Sequence, residues 1–283
     1  MGTEKRERQK AGRDARREAL EAERRKAQKR RSYMGFAAIA VGVVVVAALI
    51  SILGGSDDDE VSTADDAAET AEPGQDTAET AEPDDGEAAE PLPCPPVDGV
   101  DEPVTSFPAP PPDCLTEGAD YAAVFTTSAG EITVDLLEGE LPGTVNNFVY
   151  LARYGYYDGS LLFRTDPSID IIQGGGPTTN SPSDPGPGYT IPDEGGPFAY
   201  EPGDLVMARS AAPDSSGAQF FFAAGPDVAL LNDQGTYLLF GETTEGLDVL
   251  EEILASHVDE PDNPLGGAPD PEVTVESVTI VES

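Results

Sequence analysis

The pattern of apolar and polar positions divides the chain into three regions. Residues 35–53 form a continuous apolar stretch without a charge, residues 55–118 show no apolar periodicity, and residues 119–283 contain short periodic apolar runs. Periodic runs supply the apolar faces that a folded domain buries. The sequence therefore predicts one folded domain, which spans residues 119–283.

Two β-rich runs open this domain, residues 121–127 and 131–137, and the small-residue turn SAG separates them. Two such runs around a short turn are typical of a β-hairpin. Near the end of the chain, residues 273–281 alternate between apolar and polar positions, which predicts a strand.

Two helices are also predicted. Residues 141–154 carry apolar side chains at helical spacing with Pro142 near the start, and residues 245–256 carry a second apolar face. Short strands separated by glycine and proline turns make up the rest. Two helices among about eight short strands predict a mainly β fold, a closed eight-stranded β-barrel capped by the two helices.

The uncharged stretch at residues 35–53 is long enough to cross a membrane. At about 1.5 Å per residue it spans roughly 28 Å, close to the hydrocarbon thickness of a bilayer. A basic segment precedes it and the acidic run DDDE follows it. The positive-inside rule then predicts a cytoplasmic segment at residues 1–33, one transmembrane helix at residues 34–54 and an extracytoplasmic C-terminal domain. The expected location is the cell membrane, in a single pass.

Two other interpretations of the apolar stretch are weaker. A cleaved signal peptide is disfavoured because the basic segment is long and no Ala-x-Ala site follows the stretch. A lipoprotein signal is disfavoured because the sequence LGGS at residues 53–56 offers no cysteine to lipidate. An uncleaved anchor remains the prediction.

Charge is distributed very unevenly along the chain. Residues 1–31 hold 13 of the 16 lysines and arginines, whereas the remainder holds only Arg153, Arg164 and Arg209 against 48 of the 54 acidic residues. An acidic surface repels nucleic acid and anionic lipid, so neither is an expected partner of the C-terminal domain. The basic segment is able to bind nucleic acid, but such segments more often orient a membrane helix and contact anionic headgroups.

Residues 55–118 are rich in Asp, Glu, Ala, Thr and Pro, and the sequence AETAEP occurs at residues 68–73 and again at residues 78–83. Such a composition buries too little apolar area to offset the entropy cost of ordering. We therefore predict a disordered stalk with locally extended proline-rich stretches. An SH3-type ligand is the alternative for those stretches, and a spacer is the simpler interpretation.

Cys94 and Cys114 are the only cysteines of the chain. An isolated pair outside the cytoplasm is expected to form a disulfide. It closes a loop of about 20 residues, worth on the order of 3 kcal/mol. Two cysteines and a single histidine, His257, make a metal site improbable, and the sequence predicts no metal and no cofactor.

From residue 121 to residue 281 the sequence resembles the cyclophilin family in several motifs that occur in the family's order and spacing. They are TTSAGEITVDLLEGELPGTVNNFVYLARYGYYDGSLLFR at residues 126–164, IQGG at 172–175, MAR at 207–209, QFF at 219–221 with the spacing of bacterial members, and FGE at 240–242. The resemblance implies a peptidyl-prolyl cis-trans isomerase that acts on proline-containing polypeptides.

Rotation about an X-Pro bond must break amide resonance against a barrier of about 18–20 kcal/mol. It needs an apolar socket for the proline ring and hydrogen-bond donors that fit the twisted amide. By resemblance, the catalytic set comprises Gln173, Gln219 and Phe221 with Arg164 or Thr165. The implied substrate-binding residues are Phe163, Ile171, Ala208, Arg209, Leu231 (or Leu230) and Tyr237.

One departure from the family pattern bears on activity. Counting from Phe163 to Gln173 places Thr165, not an arginine, at the catalytic arginine position, with Arg164 beside it. Because neighbours on a strand face opposite sides, Arg164 replaces the missing group only if a bulge re-aims it, while Arg209 is a second candidate. Asp170 stands where an aromatic is usual and is expected to make the pocket more polar. We therefore expect a slow enzyme, and the alternative is a non-catalytic proline-peptide binding module or holdase.

Three simpler interpretations accompany these predictions. Strand alternation places two of Phe220, Phe221 and Phe222 in the core. His257 is expected to be a solvated residue at the end of the second helix. The domain is expected to be a monomer.

Overall fold

The computed structural model describes residues 89–260 and 265–283. The predicted cytoplasmic segment, the predicted transmembrane helix and residues 55–88 of the predicted stalk lie outside these residues. Within the part that is described, no helix has the length and apolar character needed to cross a bilayer.

The described residues form eleven short strands. They are β1 (Tyr121–Thr127), β2 (Gly130–Leu136), β3 (Ser160–Leu161), β4 (Arg164–Asp166), β5 (Ile171–Gly174), β6 (Asp204–Met207), β7 (Phe220–Ala223), β8 (Leu239–Glu245), β9 (His257–Asp259), β10 (Gly267–Pro269) and β11 (Thr274–Glu282). They join one sheet in the order β3-β11-β1-β2-β8-β6-β7-β5-β4-β10-β9.

The mainly β prediction is confirmed, although the described residues form eleven short strands and not eight. The sheet is a curled half-barrel of eleven strands, and β3 and β9 lie at its two ends in the described residues. These end strands have two and three residues. Only two residues separate β3 from β4 in the chain, and these strands pair with β11 and β5, so this segment connects the two sides of the sheet.

Both predicted helices are present within two residues of their expected bounds: α1 (Pro142–Arg153) and α2 (Leu247–Ala255). Proline in the first turn of α1 suits a position whose backbone N–H has no helical partner. The Glu194 carboxylate accepts hydrogen bonds from the backbone N–H groups of Gly143 and Thr144, at 3.0 and 2.8 Å, which caps this helix from a distant loop. A 3₁₀ helix, Pro226–Asp233, precedes β8.

The predicted hairpin and final strand are confirmed as well. β1 pairs with β2 on one side and with β11 on the other, and alternate residues of β1 are buried. Its Phe125 ring lies 5.5 Å from Phe220 and 5.1 Å from Phe222 in edge-to-face contacts within the main core.

Strands β5, β6 and β7 are buried on both faces. One face packs into the main core, through Ile172, Phe220 and Phe222, and the other packs into a smaller apolar cluster that includes Phe221. Two of the three consecutive phenylalanines are therefore core residues, as strand alternation predicts. The smaller cluster is the floor of the site described below.

The stalk was predicted to be disordered as far as residue 118, but its last part, residues 89–118, is ordered against the domain. This segment, called the strap below, packs along α1 and buries Phe107 to 3% exposure. The predicted disulfide is confirmed: Cys94 and Cys114 are bonded and close most of the strap into a loop. The composition of this segment predicted disorder, because ordering it costs conformational entropy. The burial of Phe107 and the disulfide together offset that cost.

Candidate active site

The register of four antiparallel strands assembles the site. Arg164 on β4 lies opposite Gln173 on β5, Gln173 lies opposite Phe221 on β7, and Phe221 lies opposite Val206 on β6. Residues directly opposite each other in a sheet project to the same face. These four side chains therefore form one row on the face away from the main core.

This face borders a cavity of about 530 Å³. Nine of the sequence-predicted site residues line it: Arg164, Ile171, Gln173, Ala208, Arg209, Gln219, Phe221, Leu231 and Tyr237. Its size is within the range of small-molecule and peptide side-chain pockets. Thr165, Phe163 and Leu230 are not among the lining residues.

The apolar end of the cavity is a socket of Ile171, Phe221, Leu231 and Tyr237. The Phe221 ring stands edge-on to the Tyr237 ring, with centroids 5.6 Å apart. The Tyr200 hydroxyl accepts the Tyr237 N–H at 2.8 Å and donates to the Tyr237 carbonyl at 2.9 Å. These two bonds fix the backbone of the aromatic wall.

The polar edge of the cavity is a chain of side-chain hydrogen bonds. Arg164 Nη1 donates to Gln173 Oε1 at 2.9 Å, and Gln173 Nε2 donates to Gln219 Oε1 at 2.9 Å. The charge on Arg164 therefore orients the Gln173 amide, which in turn orients the Gln219 amide. Such a network holds donors in place before substrate arrives.

Arg164 is nearly enclosed, with its side chain 13% exposed. Its Nη2 pairs with Asp166 Oδ2 at 2.8 Å, and its Nε donates to the Leu265 carbonyl. Burial lowers the pKa of the guanidinium, and Asp166 opposes that shift. The group remains cationic at neutral pH, because an arginine starts far above neutrality. The cavity thus holds a fixed positive charge beside an apolar socket.

Thr165 does not face the cavity, although the count of residues places it at the family's catalytic arginine position. It is fully buried on the opposite face, where its hydroxyl and His257 Nδ1 lie 2.7 Å apart. The expectation that His257 is solvated is wrong. It lies on β9, its side chain is 14% exposed, and its Nε2 lies 3.0 Å from Asp259 Oδ1.

The turn between β4 and β5 explains why counting residues gave the wrong position. Asp166 Oδ1 accepts the Ser168 backbone N–H at 3.1 Å, and Asp170 adopts a left-handed conformation with φ of 50°. This turn sets an unbroken register with Arg164 opposite Gln173, so no bulge is needed to aim Arg164 at the cavity.

Asp170 does not make the cavity more polar, contrary to expectation. Its carboxylate accepts the backbone N–H of Asp227 at 2.8 Å, at the start of the 3₁₀ helix, and its carbonyl accepts the N–H of Ala224. It lies outside the lining of the cavity. Asp170 therefore fixes the helix that carries Leu231 and leaves the socket apolar.

The two adjacent leucines on the 3₁₀ helix, Leu230 and Leu231, differ in whether they line the cavity. Leu231 lines the cavity, whereas Leu230 is 65% exposed and does not. Phe163, a predicted binding residue, precedes β4, is half-buried and does not line the cavity either. Neighbours on a short helix or strand point in different directions, which the sequence pattern alone left open.

Arg209 lines the cavity, but its guanidinium holds a loop together. It pairs with Asp193 Oδ2 at 2.9 Å and donates to the carbonyls of Ala212 and Thr236 at 2.6 and 3.1 Å. Its donors are committed to these partners. Arg164 differs from Arg209 in that one of its partners, Gln173, itself lines the cavity.

Sequence reasoning missed the loop at residues 182–190, called the rim loop below. Seven of its residues line the cavity: Pro182, Asp184, Pro185, Gly186, Pro187, Tyr189 and Thr190. The run PSDPGPGYT was visible as a proline- and glycine-rich segment, but no periodicity connects such a run to a site.

Comparison with known proteins agrees with this geometry. The family described as "Cyclophilin type peptidyl-prolyl cis-trans isomerase/CLD" matches residues 122–280, more than half of the chain. The chain belongs to the cyclophilin family. The strap precedes the matched region, so it is an addition to the part that defines this cyclophilin domain.

Two bacterial proteins similar to this chain are named peptidyl-prolyl cis-trans isomerases. Peptidyl-prolyl cis-trans isomerase B of Bacillus subtilis is 40% identical over 120 residues, which cover 42% of this chain and 79% of that protein. A peptidyl-prolyl cis-trans isomerase of Streptomyces antibioticus is 36% identical over 134 residues, or 45% of this chain and 79% of that protein.

A solved cyclophilin-type isomerase of Cryptosporidium parvum superposes with a TM-score of 0.51 at 25% identity, over 58% of this chain and 99% of its own. The same protein was solved in the presence of the dipeptide Ala-Pro, with a TM-score of 0.50 to this chain at 25% identity. That second comparison covers 57% of this chain and 99% of the solved one. Family, relatives and fold agree that this cyclophilin is a peptidyl-prolyl cis-trans isomerase.

Proposed function

We propose that this cyclophilin isomerises X-Pro bonds of exported proteins from a position outside the cytoplasm at the membrane, with Arg164 as the residue that stabilises the twisted amide. The observation that carries the catalytic part is the placement of Arg164 opposite Gln173 at the edge of an apolar cavity.

The proline ring of the substrate enters the socket. Ile171, Phe221 and Leu231 supply apolar walls, and Tyr237 supplies an aromatic edge. Burial of a small ring in such a socket holds one side of the rotating bond in place. The chain on the other side of the bond is then free to turn relative to the held ring.

Arg164 acts on the nitrogen of the rotating bond. As the amide twists, resonance is lost and the nitrogen lone pair becomes a hydrogen-bond acceptor, which the planar ground state does not offer. A guanidinium N–H directed at that nitrogen stabilises the twisted state more than the planar one, so it accelerates rotation. One preorganised donor of this kind contributes about 10² to 10³ in rate.

Gln173 and Gln219 position the Arg164 guanidinium and the substrate backbone. The Gln173 amide holds the Arg164 guanidinium at 2.9 Å and is itself held by Gln219. The order of the network leaves amide groups at the cavity wall to bind the substrate backbone. The sequence predicted a slow enzyme because the catalytic arginine was counted as missing. With Arg164 in that role, slow turnover is no longer expected.

Three features support the extracytoplasmic, membrane-anchored part of the proposal. The apolar stretch at residues 35–53 is of spanning length, the lysines and arginines are concentrated before it, and the only two cysteines form a disulfide. Disulfides persist in oxidising compartments outside the cytoplasm. The natural substrates there are exported proteins as they fold, which is why we propose them as clients.

A protease-coupled assay with an X-Pro peptide tests the catalytic proposal on the full-length chain purified in mild detergent. Leu231→Ala and Leu230→Ala are matched variants of adjacent leucines, one that lines the socket and one that is exposed. Leu231→Ala should raise KM several-fold, and Leu230→Ala should leave the kinetics unchanged. An inactive wild type that still binds proline peptides would instead establish the non-catalytic binding module.

A further inference from the structure

The rim loop has little secondary structure to hold it. Between residues 182 and 190 the described backbone forms turns and bends but no strand or helix. Its Asp184 carboxylate accepts the N–H groups of Thr179 and Gly186, at 2.6 and 3.0 Å, which orders only the first part of the loop. The second part therefore depends on what it packs against.

Its second part packs against the strap. The Phe107 N–H donates to the Pro187 carbonyl at 2.8 Å. At Gly188, whose φ is 102°, an added Cβ would lie 2.6 Å from the Phe107 carbonyl oxygen, so backbone meets backbone here without space for a side chain. The Phe107 and Tyr189 rings meet edge-on, with centroids 6.3 Å apart.

A hydrogen-bonded path leads from this contact to the segment that precedes Gln219. The Tyr189 hydroxyl donates to Asn147 Oδ1 at 2.7 Å, and Asn147 Nδ2 donates to the Gly217 carbonyl at 2.8 Å. Gly217 stands two residues before Gln219, and both line the cavity. The position of the rim loop is thereby tied to the segment that carries Gln219.

The strap itself is held firmly on its other side. The Phe107 ring lies among Tyr150, Tyr154 and Tyr156 as well as Tyr189, at centroid distances from 5.2 to 6.4 Å. The Tyr154 hydroxyl donates to the Pro93 carbonyl at 2.8 Å. The disulfide then closes the loop that contains Phe107.

The strap also meets α1 near its second cysteine. Asn146 accepts the Cys114 N–H and donates to the Pro112 carbonyl, both at 2.8 Å. The Tyr150 hydroxyl of α1 donates to the Leu92 carbonyl at 3.3 Å near the first cysteine. Because both ends of the loop are anchored on the same helix, the strap is a fixed surface for the rim loop.

We propose that Phe107 is a positioning residue for the isomerase, and that the strap holds the rim loop in the conformation that binds the residues flanking the substrate proline. A loop fixed in its binding conformation has less entropy to lose when substrate binds, so affinity rises. The Pro182 carbonyl of the rim loop accepts a hydrogen bond from Gln219 Nε2 at 3.3 Å, and the loop acts in this scheme on the flanking residues and not on the rotating bond. Phe107 therefore sets KM, whereas Arg164 sets kcat.

The test compares Phe107→Ala, Phe107→Leu and Ile253→Ala in the full-length chain, by kcat, KM and thermal stability. Phe107→Ala should raise KM roughly five- to tenfold for a peptide with residues on both sides of proline, with kcat within about twofold. Phe107→Leu should recover most of the affinity, because it keeps an apolar side chain among the four tyrosines that surround Phe107. Ile253→Ala controls for stability, since Ile253 is 1% exposed in the same core but lies on α2.

Reduction is an independent probe, because Cys94 and Cys114 are the only thiols of the chain. Dithiothreitol should raise KM of the wild type in the same direction, and it should have no effect on a Cys94→Ser, Cys114→Ser double variant. The proposal is overturned if Phe107→Ala has the KM of wild type, if Ile253→Ala raises KM equally, or if kcat falls while KM holds.

This inference rests on the isomerase activity, but its failure is separable from a failure of the proposed function. An inactive wild type would refute the proposed function alone. The same variants would then be compared by the dissociation constant for the peptide, which is predicted to weaken for Phe107→Ala and to recover for Phe107→Leu.

Discussion

Arg164 and Gln173 lie directly opposite each other on β4 and β5, and Arg164 Nη1 donates to Gln173 Oε1 at 2.9 Å. The pair places a cation and an amide on the cavity face of the sheet. The next residue, Thr165, faces the other way and bonds to His257. A difference of one position in the register thus decides which residue meets the substrate.

Thr165→Arg should destabilise the domain without raising its activity. The side chain is fully buried, so an arginine there must place a charge among Ile172 and its neighbours or distort the sheet. An uncompensated buried charge typically costs several kcal/mol, on the order of 3–5. Denaturant unfolding measures the loss. A stable Thr165→Arg protein with higher kcat/KM would show that Thr165 faces the cavity after all.

The sequence predicted those parts of the molecule whose signals are local. The hairpin, both helices and the final strand follow from apolar periodicity, and the alternation of Phe220, Phe221 and Phe222 separated the core from the socket. Family motifs then identified most of the cavity lining. These features depend on residues that are close together in the chain.

Two features depended on geometry that no local pattern encodes. The register between Arg164 and Gln173 is set by the turn after Asp166 and by the left-handed Asp170, not by the count of residues. The burial of Phe107 depends on tyrosines that lie 43 or more positions later in the chain, so the strap had the composition of a stalk.

Stability should fall as the pH rises above 10, because buried tyrosines stay protonated in the fold. Burial raises the pKa of Tyr150 to about 12 and raises the pKa values of Tyr154, Tyr156, Tyr157 and Tyr189 as well. Above about 10, the unfolded chain loses these protons while the folded chain keeps them, so unfolding becomes more favourable. Below that pH the contribution is fully present.

Ultraviolet difference absorbance of tyrosinate measures this directly. Most of the signal should appear in one cooperative step together with loss of circular dichroism. A gradual titration near the ordinary tyrosine pKa, with the fold intact, would mean that the tyrosines around Phe107 are exposed to solvent.

Loss of the disulfide should weaken the domain measurably. The bond between Cys94 and Cys114 closes a loop of about 20 residues, which the chain-entropy account values at about 3 kcal/mol. Chemical denaturation of the Cys94→Ser, Cys114→Ser variant should show a loss of that order. An unchanged midpoint would indicate that the strap contributes nothing to the stability of the fold.

The domain should be accessible from outside the cell. Protease added to intact cells, or to spheroplasts where a wall blocks access, should digest residues 119–283, while residues 1–33 stay protected. Antibodies to the two segments distinguish the fragments. A domain that is protected in spheroplasts and digested only after lysis would contradict the membrane topology proposed here.

The most direct test of the catalytic account is kcat/KM of Arg164→Ala beside Thr165→Val, measured with an X-Pro peptide on the full-length chain. Arg164→Ala removes the cation of the row and should lower kcat/KM by about 10² to 10³, mostly through kcat. Thr165→Val is close in shape, removes only the bond to His257 and should stay within about twofold of wild type. If Arg164→Ala retains full activity, or if Thr165→Val loses it instead, Arg164 is not the residue that stabilises the twisted amide.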